Sequence, residues 1–141
     1  TASEKCIVWG ANNFIEHLEK TTNFIFWHKH QPAPNFADGE LAWTNFSGPC
    51  KCYDAPCFGA HGQDVGGKIH PTQKPVKLYQ WIYANYAKPG QRILDTHLGS
   101  GSSAIAAHYA GLEFVGIELD PNYYAAAVER FKRETAQEAL F

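Results

Sequence analysis

The chain of 141 residues contains no methionine, either at its start or elsewhere, and so reads as a processed chain or a fragment. No apolar run approaches the roughly 18 residues that a membrane span needs, and no membrane partner is expected. The opening string TASEKCIVWG lacks a basic stretch followed by a long apolar segment. No signal peptide is therefore read, and a cytoplasmic location is expected. Cysteine is sparse, with four residues at 6, 50, 52 and 57. Cys50, Cys52 and Cys57 stand with His61 in a C-x-C-x4-C-x3-H string, whereas zinc sites are usually built on C-x2-C pairs. The four are read as reduced thiols, with no metal expected.

Enough apolar and aromatic residues remain for a core, at 45% and 14% of the chain, and the length suits one modest domain. Net charge is only −2, but it is unevenly spread. Residues 61–92 carry Lys68, Lys74, Lys77, Lys88 and Arg92 against Asp64 alone, and the segments on either side are acidic. Such a strip suits contact with phosphates; the plain alternative is a solvated face.

Hydrophobic patterning places the elements. KCIVWG (5–10), NFIFWHK (23–29) and ELAWTNF (40–46) read as strands. NNFIEHLEK (12–20) has helical spacing, and residues 47–69, dense in Gly, Pro and Cys, read as a long irregular connection. From Pro75 a helix is expected, with Val76, Leu78, Tyr79, Ile82, Tyr83 and Tyr86 on its apolar face, ending at KPGQ (88–91). Then follow a strand at 92–96, a helix at 102–110 and a strand at 113–119. Asp120 caps a last helix with Pro121 at its first position, and Tyr124, Val128 and Phe131 form its core face. Strand, helix, strand, helix is a βαβα unit, hence a parallel α/β sheet.

The string DTHLGSGSS (95–103) joins the strand at 92–96 to its helix. Gly99 and Gly101 let the backbone approach a ligand that a Cβ would block, and the amides opening the next helix point at that ligand. Glu118 lies 23 residues after Asp95, where a carboxylate can accept from both ribose hydroxyls of an adenosine. Gly99-x-Gly101-x-x-Ala104 also fits the loose dinucleotide pattern G-x-G-x-x-G/A. Asp95 opposes that reading, because an anion beside the glycines repels a pyrophosphate. It welcomes a cofactor with an ammonium and no phosphate, which is the pattern of S-adenosyl-L-methionine. The plainer role for Asp95 is to cap the loop.

The strings HPTQKPVKL (70–78), RILDTHLGSGSSAIAA (92–107) and FVGIELDPNYY (114–124) resemble those of the DNA amino-methyltransferases, which modify adenine N6 or cytosine N4. The order resembles the permuted arrangement, in which the cofactor loop follows the target-recognition region, and small phage- and prophage-type adenine methylases in particular. IVWGANNF, FIFWHK and ELAWTNF resemble the family's middle strands more loosely. The resemblance implies a cofactor loop of Asp95, Thr96, Gly99, Ser100, Gly101, Ser102 and Ser103. It implies that Glu118 binds the ribose, that Leu119 flanks the adenine, and that His70, Thr72, Lys74 and Pro75 wrap the methionine end. Lys68 and Lys77 are then the expected contacts to double-stranded DNA.

The same family uses an acid-Pro-Pro-aromatic motif, in which the acid and a backbone carbonyl localise the amine lone pair and the aromatic ring stacks on the flipped base. In the permuted order it belongs before Cys6, where it is not found. Asp54-Ala55-Pro56-Cys57-Phe58 has the wrong residues and the wrong place. The expected fold is one α/β domain over 1–141 with a mainly parallel, Rossmann-like methyltransferase sheet, incomplete at its N-terminal side. Within it, 1–46 supplies middle strands, 47–69 a loop and 70–141 the cofactor-binding half. The expected function is S-adenosyl-L-methionine-dependent DNA methylation, adenine N6 before cytosine N4, with this chain alone inactive and self-association covering an open sheet edge. The alternatives are a cofactor- or DNA-binding module without catalysis, and a dehydrogenase-like nucleotide-binding domain.

Overall fold

Aromatic and β-branched runs form the strands of the first half. Ile7–Trp9 is β1, Phe24–His28 is β2, Gly39–Thr44 is β3 and Lys51–Asp54 is β4. The computed structural model describes residues 3–30, 33–56 and 67–136. By packing, the chain divides into two units, Thr1–His61 and Gly62–Phe141.

In the first unit the sheet order is β1-β3-β2-β4. β3 runs antiparallel to both β1 and β2, and β4 runs parallel to β2. The expectation of a mainly parallel sheet is therefore not met in this unit. The reason is the connection from β2 to β3, residues 29–38, which is shorter than a parallel crossover needs, and a chain that turns back directly must pair antiparallel. Gly39 lies opposite His28, and a Cβ there would collide with the Trp27 carbonyl oxygen and the Phe26 ring. Ile25, Trp27, Ala42, Trp43 and Thr44 fill the core. The two indoles satisfy their N–H groups on backbone carbonyls, Trp27 on Ala55 at 2.9 Å and Trp43 on Glu19 at 2.8 Å.

Two expectations for this unit fail locally. The helix over 12–20 is replaced by two short 3-10 turns, Ala11–Asn13 and Ile15–His17. Phe14 stands between them at φ −150° and ψ 32°, outside the helical region, and interrupts any helical ladder. The irregular connection over 47–69 contains β4, an edge strand created by pairing with β2 and not by its own propensity.

The second unit follows the expected order. Val76–Tyr86 forms α1, Arg92–Asp95 β5, Ser102–Tyr109 α2, Glu113–Gly116 β6 and Pro121–Thr135 α3. β5 and β6 pair in parallel, Arg92 with Glu113 through Asp95 with Gly116, as a βαβ crossover requires. α1 buries Val76, Leu78, Ile82 and Tyr83, and α2 buries Ile105, Ala106 and Ala107. Asp120 accepts from the Asn122 and Tyr123 amides at 2.8 and 3.3 Å and caps α3, with Pro121 in its first turn. The core face of α3 differs from the expected one: Ala127 and Arg130 are buried, while Tyr124 is half exposed. Leu94 of β5, Val115 of β6 and Ile117 just past β6 are also about half exposed. Among the described residues no helix is long and apolar enough to cross a membrane.

Candidate functional site

Parallel strands bring their carboxyl ends to one side, where α/β proteins hold ligands. In the second unit those ends belong to β5 and β6. Asp95 is the last residue of β5, and Glu118 lies two residues beyond the end of β6. The chain between Asp95 and α2 is held by backbone bonds to the stretch after β6. The Ile117 amide donates to the Asp95 carbonyl at 2.8 Å, and the Leu98 amide donates to the Ile117 carbonyl at 2.9 Å.

The two carboxylates organise this loop. Asp95 accepts from the His97 amide at 3.0 Å and from the Ser103 hydroxyl. Glu118 accepts from the Gly99 amide at 2.8 Å and from the Asp120 amide at 3.1 Å. The Asp120 amide, followed by that of Gly99, holds the Glu118 carboxyl below its ordinary range. The Tyr83 hydroxyl of α1 donates to the Ser103 carbonyl at 3.2 Å. Burial, and next the Asp95 charge, push that phenol well above its usual value.

Gly101 precedes α2 at φ +77°, in the left-handed region that favours glycine. No side chain caps α2, so its opening amides carry the positive end of the helix dipole. Ser100, Ser102 and Ser103 are buried. Their hydroxyls are used internally: Ser100 and Ser102 meet at 3.1 Å, and Ser103 donates to Asp95. What these serines can offer a ligand is backbone. Thr96 contacts His97 Nδ1 at 2.9 Å through its hydroxyl.

Arg130 of α3 is missing from the expected site, yet it supports the loop from below. It is 1% exposed. Its Nη1 donates to the Ser100 carbonyl at 3.0 Å and to the Ser102 hydroxyl at 2.9 Å, and its Nε pairs with Glu134 at 2.8 Å. An arginine on a polar helix reads as solvated. Its spacing three residues after Ala127 is the sequence signal that puts both on one face.

His70 also joins the loop. A Cβ at position 99 would lie 3.5 Å from its ring, and the ring packs edge-on against Tyr123 at 4.4 Å. The Thr72 amide and hydroxyl lie 3.3 and 3.1 Å from His70 Nδ1. Lys74 is half-buried and Pro75, buried, occupies the N-cap of α1. Leu119 is 97% exposed beside Glu118. Lys68 and Lys77 are both exposed, Lys77 in the first turn of α1. Cys50 and Cys52 are exposed free thiols, while Cys57 and His61 lie outside the described residues.

Comparison with known proteins identifies the family. YubD of Escherichia coli (strain K12), a protein named as a methylase, is 38% identical over 65 residues, covering 46% of this chain and 29% of that protein. The solved M1.HpyAVI–SAM complex superposes with a TM-score of 0.69 at 21% identity, over 89% of this chain and 73% of that one. TTHA0409 of Thermus thermophilus, named as a DNA modification methylase and solved with S-adenosyl-L-methionine, gives 0.55 at 25% identity, over 82% of this chain and 54% of that one. The aligned stretch thus spans less than a third of the curated relative. Residues 42–129 match the family model described as DNA methylase, of the N6/N4 type. That match takes in more than half of the chain, including β5, β6, both carboxylates and the loop between them: the chain belongs to the DNA methylase family.

Proposed function

We propose that this chain is the cofactor-binding part of a DNA methyltransferase that uses S-adenosyl-L-methionine and acts on an exocyclic amine, adenine N6 before cytosine N4. The observation that carries the reading is the pair of carboxylates, Asp95 and Glu118, at the carboxyl ends of two parallel strands flanking an uncapped helix start. This donor set fits the cofactor, since Asp95 suits an ammonium and opposes a pyrophosphate beside the glycines, while Glu118 suits a ribose diol. The S-adenosyl-L-methionine held by TTHA0409 supports the same choice. When bound, the cofactor supplies an electrophilic methyl on its sulfonium.

The residues divide the work as follows. Asp95 receives the ammonium, and the backbone from Thr96 through Gly99, Ser100, Gly101, Ser102 and Ser103 lies against the cofactor. Glu118 accepts from the ribose hydroxyls with the lone pairs left beside its two amide contacts. Leu119 covers the adenine face, which explains an exposed leucine in this place. His70, Thr72, Lys74 and Pro75 enclose the methionine end. Lys68 and Lys77 meet the DNA phosphates. Transfer is direct and in-line to the amine of a flipped base, so the cysteines have no catalytic part. The order of the segments is the permuted one, as in small phage-type adenine methylases.

A second reading, a binding module without catalysis, draws on the lack of any acid-Pro-Pro-aromatic string in these 141 residues. Calorimetry separates the cofactor classes. S-adenosylhomocysteine is expected to bind the chain and NAD is not. Binding of NAD with S-adenosylhomocysteine inert would replace this reading with a dehydrogenase-like one.

A further inference from the structure

The carboxyl end of the other parallel strand pair, β2 with β4, holds a second cluster with no part in the site above. His28 and Asp54 are the last residues of their strands and lie opposite one another in the register. His30 stands two residues past β2 at φ +52°, the single described non-glycine residue with a positive value. Such a backbone is uncommon outside glycine, and it persists where the surroundings enforce it. Here it brings the His30 ring to 4.3 Å from that of His28. Both imidazoles converge on one oxygen: His28 Nδ1 and His30 Nε2 lie 2.8 and 2.7 Å from Asp54 Oδ1. The three ligand atoms lie within 4.8 Å of one another. All three side chains reach water, at 39%, 47% and 63% exposure, so an ion can enter and keep solvent ligands.

We propose that His28, His30 and Asp54 bind a divalent transition metal of the zinc class. Two neutral imidazoles and one carboxylate form an N2O donor set that such ions favour over magnesium or calcium. Zinc bonds of about 2.0–2.1 Å place ligand atoms roughly 3.3 Å apart in a tetrahedron. The present hydrogen-bonded spacings of 2.7 and 2.8 Å therefore need to widen by about half an ångström, a small movement for exposed side chains. On binding, the protons on His28 Nδ1 and His30 Nε2 shift to the opposite ring nitrogens or leave to solvent. Three coordinate bonds then replace two hydrogen bonds, with a fourth position left to water. The described cysteines lie outside the cluster. The ion would tie the start of the β2–β3 connection to the end of β4.

The test titrates the chelator-treated chain with zinc by calorimetry, follows its melting temperature, and records the cobalt spectrum. One equivalent should bind and raise the melting temperature, with a cobalt spectrum free of thiolate charge transfer. His30→Gln and Asp54→Asn should each weaken binding about 100-fold or more with unchanged circular dichroism. Failure of the parent chain to bind, affinity equal to the parent's in either variant, or a thiolate band would overturn the assignment.

Discussion

Glu118 holds the loop and, in the proposed function, the ribose as well. Glu118→Ala should weaken S-adenosylhomocysteine binding by about 1.5–3 kcal/mol, the scale of a charged hydrogen bond; unchanged calorimetric affinity in a folded variant would remove the ribose role. Its amide partners depress the carboxyl below the ordinary 4.5. The folded form therefore releases its proton more readily than the unfolded one, and the resulting stability is complete above that pH. It is lost as pH falls through the lower folded value. The stability difference between the parent and Glu118→Gln should accordingly be flat above about pH 4.5 and shrink below it in urea unfolding. Arg130 offers a separate test, because its removal takes the buried donor from the Ser100 carbonyl and leaves the Glu134 carboxylate with the longer Arg133 pair at 3.7 Å. Arg130→Met should cost about 3–5 kcal/mol, and Arg130→Lys should not restore it, since an ammonium lacks the fork. Asp95 and Glu118 were legible in the sequence because both carboxylates follow strand patterns. Arg130 was not, because burial of a charge depends on partners distant in the chain.

Elements with strong local signals came through well. The cap and proline of α3, the glycine start of α2 and the apolar face of α1 are each encoded within a few residues, and each is where its signal puts it. Tertiary pairing decided the rest. β4 is a strand because β2 offers it an edge, and the 12–20 stretch fails as a helix because Phe14 leaves the helical region. The basic run through Lys68 and the start of α1 is the element-scale prediction. With Lys68 and Lys77 both replaced by alanine, binding to unrelated duplexes should weaken about equally. The salt slope should fall by about 0.9 for each phosphate that is no longer neutralised. A slope equal to the parent's would show that this strip faces only water.

For the molecule as a whole, the proposed chemistry sets a sharper expectation. In that proposal Asp95 and the glycine loop hold a sulfonium, while the 141 residues contain no acid-Pro-Pro-aromatic string to localise an amine lone pair, so the chain alone is expected not to transfer tritiated methyl groups to unmethylated DNA. Supplying a segment with an acid-Pro-Pro-aromatic motif should restore turnover; robust transfer by the short chain would return Asp54 and Phe58 to consideration. The half-exposed Leu94, Val115 and Ile117 set a further expectation, self-association, to be measured by sedimentation. Among the described residues, every strand finds its hydrogen-bonded neighbours inside its own unit. A gene could therefore encode the stretch from Gly62 onward first and the stretch up to His61 second without cutting a single ladder. Evolution can shuffle such a message at the seam and leave each half its own fabric.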